Sequence, residues 1–195
     1  MCFDLVGFER FCDGFEFLDK LGLVASEGSS AVFRQTLIGN AYGLIDFDMT
    51  IRPDYWVALI AKRSVGLGVL PTSVQGSKSL FTPLRAYSFC SRDQINDPGS
   101  VTMLLLNLNQ SDGLNVSVTG LASTSSAQMY LFTSDQLNST SIFLNGVALQ
   151  LSSNNTIPPL NPELLSSPQV LLPPSSFALV TFPLAAASVC SSRPS

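Results

Sequence analysis

Hydrophobic and polar positions follow two different patterns along the chain, and the change falls near Gly66. Before it, apolar residues recur at helical spacing over 8–18, and Gly22 is placed to end that helix. The largely apolar run 31–38 predicts a strand. A second helix begins at Pro53, a residue suited to the first helical position, and closes near Gly66. Helix, strand and helix together predict a piece of an α/β unit without a closed core of its own.

After this point, short runs rich in β-branched and aromatic residues alternate with turn clusters, which predicts many short strands. Asn145-Gly146 is a two-residue hairpin signal inside one of these runs, which therefore splits into two strands. The prolines from Pro158 to Pro174 predict one long irregular connection rather than a strand. Such a pattern is typical of an antiparallel β-sandwich, so the fold class is mainly β with an α/β start. The predicted strands are 68–75, 84–90, 101–108, 114–119, 127–133, 141–151, 176–182 and 184–190.

Composition narrows the possible functions. Charged residues make up only 12% of the chain and hydrophobic residues 46%, which argues against disorder over most of its length. The net charge is −4, and the 10 lysines and arginines form no basic stripe, so nucleic acid is not expected as a partner. The pair Lys62-Arg63 is interpreted as a solvated face. With no histidine and no Cys-x-x-Cys motif, the sequence predicts no metal site and no cofactor.

The two ends of the chain bear on export and on membrane attachment. Residues 1–10 have no positively charged start and no sustained apolar run, so we do not expect a signal peptide there. The apolar stretch 177–190 is interrupted by Pro183 and is too short to span a bilayer. We therefore expect no transmembrane segment, and we interpret 177–190 as core strands, with a lipid-anchor signal as the alternative.

Several short motifs occur in a fixed order along the chain. They are Arg-Gln-Thr-Leu-Ile-Gly with Tyr-Gly-Leu-Ile-Asp over 34–46, Pro-Asp-Tyr-Trp at 53–56, Val-Gln-Gly-Ser-Lys at 74–78, Leu-Arg-Ala-Tyr-Ser-Phe-Cys at 84–90 and Leu-Asn-Gly-Val at 144–147. In this order they resemble the C-terminal portion of the heparanase-like glycoside hydrolases of family 79, and the sequence around 34–46 is closer to the plant-type members. The resemblance implies the last helix–strand–helix units of a (β/α)8 barrel in residues 1–66, followed by a C-terminal β-sandwich in residues 67–195.

This resemblance also implies a substrate and candidate binding residues. The family's enzymes are retaining endo-β-glucuronidases, so the full-length parent would act on a glucuronic-acid-containing polysaccharide outside the cell. A tyrosine placed like Tyr42, with nearby backbone amides, contacts the bound uronic acid. Gln35 and Asn40 occupy the adjoining strand and loop. The family commonly has a second glycine where Asn40 stands, and the alternative interpretation of Tyr42 is an aromatic that packs over the barrel rim.

Catalytic residues are not expected within this chain. Retaining hydrolysis needs two carboxyl groups about 5–5.5 Å apart. In the resembling family both are glutamates on earlier barrel strands, and residues 1–7 contain no such motif, while Glu9 and Glu16 fall on the predicted first helix. Asp46 and Asp48 are interpreted as turn acids, with contact to substrate hydroxyls as the alternative. We therefore expect the isolated chain to be inactive.

The cysteines and sequons bear on the cellular compartment. The resemblance implies a disulfide between Cys90 and Cys190, whereas Cys12 is expected to be a small buried residue. The four Asn-x-Ser/Thr sequons predict glycosylation at Asn109, Asn115, Asn138 and Asn154. Together they favour an extracellular, secretory-pathway or membrane-associated parent protein.

Two further interpretations stay open at this point. A non-catalytic β-sandwich module would bind carbohydrate or a protein partner, with Tyr87 and Tyr130 as its available stacking aromatics. Alternatively, an orphan apolar surface in residues 8–66 would associate with a separate chain that supplies the missing barrel.

Overall fold

A computed structural model describes residues 10–40, 43–75, 83–94, 96–167 and 169–191. The protein is mainly antiparallel β with few helices. The helices are α1 (Phe11–Ser26), α2 (Pro53–Ser64) and α3 (Ser188–Ser191). The strands are β1 (Val65–Leu70), β2 (Leu84–Ser91), β3 (Val101–Asn107), β4 (Leu114–Ser117), β5 (Ala127–Thr133), β6 (Phe143–Leu144), β7 (Val147–Ala148), β8 (Glu163–Leu165), β9 (Gln169–Leu172) and β10 (Ser176–Phe182).

Helix α1 forms as the sequence predicts but runs past its expected end. The backbone amide of Arg10 donates to Asp13 Oδ2 at 2.9 Å, which satisfies a donor at the helix start. Phe11 and Leu18 are buried on the face turned to the sheet. Gly22 does not stop the helix, which continues to Ser26, and the space left by its missing Cβ is occupied by the ring of Tyr87.

Helix α2 begins at Pro53, as predicted, and buries Trp56 and Ile60. It ends at Ser64 and passes directly into β1, which starts three residues before the predicted strand 68–75. The strand predicted over 31–38 is absent. Only Ile38 forms a bridge there, to Ile45, because no neighbouring strand pairs with residues 31–37.

The large sheet has the order β1-β2-β3-β10-β5-β6-β7, with β8 also paired to β5, and every pairing is antiparallel. Strand β10 lies between β3 and β5, with Leu179 opposite Leu104 and Tyr130. Its side chains alternate between two cores. Phe177 and Leu179 join the core beneath α1 and α2, whereas Val180 belongs to the core on the other face.

A second, two-stranded sheet forms from β4 and β9. Val170 and Leu172 of β9 belong to the same buried cluster as Leu105 and Val180 of the large sheet. The prediction of one irregular connection from Pro158 to Pro174 is therefore wrong, since β8 and β9 both form within it. Each is short and free of proline, so its amides remain available for pairing.

Of the remaining predictions for the strand region, one is confirmed and one is wrong. Asn145 and Gly146 turn between β6 and β7 with φ of 48° and 80°, which confirms the predicted hairpin turn. The strand predicted over 184–190 is wrong, because the chain turns at Pro183 and then forms α3. That helix brings Cys190 to Cys90 of β2, and the two form the disulfide that the resemblance implied.

Candidate functional site

The segment between α1 and α2 folds back on itself over 37–51. The amide of Gly39 donates to Ile45 O at 2.8 Å, and the amide of Ile45 donates to Leu37 O at 2.9 Å. Ile45 is also bridged to Ile51, next to the start of α2. These bonds connect the two arms of the segment and define the 39–46 loop between them.

The backbone of this loop is constrained at Gly39, Asn40 and Gly43. Gly39 and Asn40 have φ of 72° and 62°, in the left-handed region that glycine and asparagine adopt most readily. A Cβ added to Gly43 would overlap the carbonyl oxygen of Gly39. The backbone conformation therefore favours glycine at positions 39 and 43 and asparagine at position 40.

The structure describes two of the three candidate substrate-binding residues. Gln35 and Asn40 are both exposed, Gln35 in the irregular segment before the loop and Asn40 at its start. Tyr42 lies outside the described residues. Contact of these three residues with a uronic acid stays a prediction.

Arg52 lies under the loop, and sequence reasoning missed it. It is 4% exposed, and its Nη1 donates to the carbonyls of Asn40 at 3.0 Å and Gly43 at 2.9 Å. Its Nη2 pairs with Asp46 at 3.2 Å. Arginine is a poor residue to cap a helix, yet Arg52 stands immediately before Pro53 at the cap of α2. That mismatch is the signal in the sequence that could have identified it.

A second buried charge pair joins this segment to α2. Arg34 is ion-paired with Asp54, whose side chain is 1% exposed. Burial raises the pKa of Asp54 to about 6, against the opposing attraction of Arg34. Burial also raises the pKa of the nearby Asp13. Asp54 Oδ1 accepts no hydrogen bond from the described residues, so its carboxyl group is held in a poorly solvated position.

Asp46 and Asp48 make the local contacts expected of turn acids. Asp46 Oδ1 accepts a hydrogen bond from the amide of Phe47 and pairs with Arg52. Asp48 Oδ1 accepts the amide of Thr50 at 2.9 Å. Both carboxylates therefore stabilise the turn between Ile45 and Ile51.

The glutamates in the described part of the chain are exposed, two on α1 and its end and one on β8. Glu16 is ion-paired with Lys20 on α1 at 3.1 Å, Glu27 caps the end of that helix, and Glu163 lies on β8. Across the same residues, no group of three or more His, Cys, Asp or Glu side chains is arranged to hold a metal ion. Within the described ranges, no helix has the length and apolar character needed to cross a membrane.

Tyr87 and Tyr130, the aromatics considered for a carbohydrate platform, are engaged elsewhere. Tyr87 packs on α1 and donates from its hydroxyl to Asp19 at 2.6 Å. Tyr130 packs against the core beneath the helices. Both rings lie half-buried on the helix-covered face of the sheet, and carbohydrate binding through them stays a prediction.

The four sequons differ in exposure. Asn115, Asn138 and Asn154 are exposed, on β4 and in two loops. Asn109 is half-buried, and its Nδ2 donates to Asp112 at 3.0 Å. Glycosylation of all four stays a prediction.

Comparison with known proteins identifies relatives of one kind. The chain is 33% identical to baicalin-β-D-glucuronidase of Scutellaria baicalensis over 89% of its length, and 32% identical to heparanase-like protein 1 of Arabidopsis thaliana over 94%. It is 35% identical to heparanase of Gallus gallus over 91% of its length. It covers 32%, 39% and 35% of these relatives, respectively. No protein-family model matches the chain.

Among solved structures, the fold is similar to the α-L-arabinofuranosidase of Thermotoga maritima, with a TM-score of 0.60 and 19% identity. The similarity covers 89% of this chain and 38% of that one. At this identity the match describes the fold alone, which is shared with part of a TIM-barrel glycoside hydrolase. The sequence relatives, of which the chain spans about a third of the length, are heparanase, a heparanase-like protein and a β-glucuronidase, so the chain resembles one part of the heparanase-like glycoside hydrolases.

Proposed function

We propose that this chain is the C-terminal part of a heparanase-like retaining endo-β-glucuronidase, in which it supplies the sandwich domain and one wall of the substrate cleft. The observation that carries this is the similarity to heparanase and to a β-glucuronidase along nine-tenths of the chain. The parent would act on a glucuronic-acid-containing polysaccharide. Its location would be extracellular, in the secretory pathway or on a membrane.

The division of the chain follows from this assignment. Residues 1–66 would be the end of a TIM barrel, and residues 67–195 an antiparallel β-sandwich. Support for the sandwich comes from the buried cluster that contains Val170 and Leu172 of the small sheet together with Leu105 and Val180 of the large one. Helices α1 and α2 cover the opposite face of the large sheet, so the two proposed parts share a core.

In this proposal the isolated chain does not turn over substrate. The nucleophile and the acid of a retaining glycosidase are a carboxyl pair about 5–5.5 Å apart. Glu16 and Glu27 are exposed on α1 and at its end, Glu163 is exposed on β8, and Asp46 and Asp48 are engaged in a turn. Cleft-wall residues Gln35, Asn40 and Tyr42 would bind the uronic acid without performing the chemistry.

The test is a comparison of the purified chain with a chimera. In the chimera, this chain replaces the matching part of the Arabidopsis heparanase-like protein. We expect the chimera to hydrolyse a chromogenic β-glucuronide, with a loss of kcat/KM in Tyr42→Phe but not in Tyr55→Phe. The isolated chain should show no turnover. Turnover by the isolated chain that is lost in Tyr42→Phe contradicts the proposed inactivity, and a silent but folded chimera contradicts the assignment.

The remainder of the barrel would cover an exposed apolar surface in the connecting segment. Phe33 is 88% exposed and Phe47 is 80% exposed, and Leu37, Ile38 and Met49 lie exposed near them in sequence. Apolar side chains in such a group favour association when no partner covers them. We expect the isolated chain to self-associate in light scattering as its concentration rises, and the double variant Phe33→Ser/Phe47→Ser to remain monomeric. Association unaffected by that variant contradicts a barrel-facing role for these residues.

A further inference from the structure

The loop between β5 and β6 caps the start of helix α1 with its own backbone. The first two amides of the helix, those of Phe11 and Cys12, donate to two carbonyls of this loop at 2.8 Å and 3.0 Å. The carbonyl between these two, that of Asn138, accepts a hydrogen bond from Arg10 Nη1 at 3.1 Å. Three consecutive carbonyls of the 137–139 segment are therefore engaged at the helix start, and they fix the backbone of Asn138.

The side chain of Asn138 is left available by this arrangement. It is exposed, and within the described structure its amide group takes part in no hydrogen bond. By contrast, the Nδ2 of Asn109 donates to its own turn at 3.0 Å, and the Oδ1 of Asn154 accepts two hydroxyl groups of its turn at 2.6 Å and 2.8 Å. Asn138 thus combines a fixed backbone with an available amide, and it begins the sequon that ends at Thr140.

A cleft opens beside Asn138, and we call it the loop cleft. Its volume is about 520 Å³, within the range of about 300–1,000 Å³ that small-molecule sites occupy. Gln110, Asp135 and Gln136 line it and are exposed, and across the described residues their side chains make no hydrogen bond or ion pair. Pro174 adds an apolar wall. Amide and carboxylate groups suit the hydroxyls of a sugar, and the apolar wall suits the C–H face of its ring.

A sugar attached to Asn138 meets the loop cleft as a tethered ligand. Attachment converts binding into an intramolecular event, for which a short link gives an effective concentration in the millimolar range. Contacts that are too weak to hold a free sugar are then sufficient, because the fixed backbone of Asn138 lowers the cost of ordering the link. A sugar bound only in the folded arrangement also stabilises that arrangement, including the hydrogen bonds between the 137–139 segment and α1.

We propose that Asn138 carries an N-linked glycan whose first N-acetylglucosamine docks in the loop cleft and stabilises the contact between the 137–139 segment and helix α1. In the transfer, Asn138 Nδ2 forms a bond to the anomeric carbon of a lipid-diphosphate-linked oligosaccharide. The bond from that carbon to the diphosphate oxygen breaks, the lipid diphosphate leaves, and one amide proton passes to a base. This inference rests on the secretory location proposed above and is independent of the uronic-acid contact.

The experiment uses the full chain, secreted behind an added signal peptide by a eukaryotic host that makes high-mannose glycans. Endoglycosidase H then leaves one N-acetylglucosamine at each occupied site, and peptide mass spectrometry measures the occupancy. Hydrogen exchange at the first two amides of α1 reports the contact between loop and helix. The comparison is with Thr140→Ala, which removes the sequon at an exposed position but keeps Asn138. Thr156→Ala, which removes the sequon of Asn154, is the matched control.

We expect Asn138 to be occupied, and the first two amides of α1 to exchange about tenfold more slowly in the trimmed wild-type chain than in Thr140→Ala. Thr156→Ala should exchange like the wild-type chain. Gln110→Ala changes the lining of the loop cleft and keeps the Asn138 sequon, so it should lose the protection while the sugar stays attached. Strands β3 and β10 serve as the internal reference and should not change.

If Thr140→Ala is not secreted, peptide N-glycosidase removes the glycan from the folded wild-type chain, and the same faster exchange is expected. An unoccupied Asn138 in a chain that carries glycan at Asn154 overturns the inference. Equal exchange in the trimmed wild-type chain and in Thr140→Ala also overturns it, as does protection that survives in Gln110→Ala. None of these outcomes affects hydrolysis by the chimera, so the proposed function is tested separately.

Discussion

Gly22 of helix α1 lies directly against the ring of Tyr87 on strand β2. A Cβ built on Gly22 would overlap Cγ and Cδ2 of that ring. The ring has little freedom to move away, because its hydroxyl donates to Asp19 one turn earlier on the same helix at 2.6 Å. Burial, together with this bond, raises the pKa of Tyr87 to about 12. The absence of a Cβ at Gly22 therefore allows helix α1 to pack directly against the Tyr87 ring of the sheet.

We expect Gly22→Ala to lower the free energy of unfolding by about 1–3 kcal/mol, although alanine favours a helix by about 1 kcal/mol over glycine. Urea unfolding followed by circular dichroism measures the change. In the double variant Gly22→Ala/Tyr87→Ala the added methyl group meets no ring, so its cost should largely disappear. Additive costs in this cycle would show that the overlap is not what limits this position.

The sequence predicts those elements whose own residues carry the decisive information. Strands β3, β5 and β10 are recovered almost to the residue, because each is a largely apolar run bounded by turn residues or proline. Asn145-Gly146 predicts its turn because the backbone there needs two positive φ angles. These features are local, so they can be deduced before any tertiary contact is known.

Other elements depend on partners that a sequence does not reveal. The run 31–38 has the composition of a strand, but no strand of the described structure pairs with residues 31–37. Strand β9 forms among prolines because β4 pairs with it. Arg52 and Asp54 are charged and therefore suggest surface positions, yet both are buried by the loop and helix packed around them. Sequence reasoning missed the burial of both residues for that reason.

The disulfide between Cys90 and Cys190 closes a loop across 100 residues. In the chain-entropy description, such a cross-link stabilises the folded state by about 4–5 kcal/mol, mainly by restricting the unfolded chain. We expect reductant to lower the melting temperature of the wild-type chain strongly. Cys90→Ser/Cys190→Ser should melt at the lower temperature and be insensitive to reductant. A reductant effect that persists in the double variant would implicate another cysteine.

The local structure around the sequons predicts unequal glycosylation when the chain is expressed through a secretory pathway. Asn109 is held by its own turn, in which its Oδ1 accepts the amides of Ser111 and Asp112 and its Nδ2 donates to Asp112. Asn138 and Asn154 are exposed in loops. We expect peptide mass spectrometry after enzymatic deglycosylation to find higher occupancy at Asn138 and Asn154 than at Asn109. Equal occupancy would mean that the folded turn does not govern modification.

Asp54 makes the stability of the chain depend on pH in the direction opposite to that of a well-solvated ion pair. Burial raises its pKa from 3.8 to about 6, so the folded state favours the protonated carboxyl. The contribution of Asp54 to the free energy of unfolding is fully present below pH 3.8, where the Asp54 carboxyl is protonated in the unfolded chain as well. This contribution is lost as the pH rises through about 6. The charged groups that act on it are Arg34, Asp13 and Arg52, and the raised pKa of Asp13 works in the same direction.

We expect the free energy of unfolding to fall between pH 4 and pH 7 in the wild-type chain by about 2–3 kcal/mol more than in Asp54→Asn, since asparagine stays neutral throughout. Urea unfolding at unit pH steps measures both proteins. Asp48→Asn, which changes an exposed carboxylate in a turn, serves as the control and should follow the wild-type curve. Two outcomes would contradict this prediction: parallel curves for the two proteins, or a wild-type chain that becomes more stable than Asp54→Asn as the pH rises. Either would mean that the Arg34 ion pair outweighs burial and that Asp54 is charged in the folded protein.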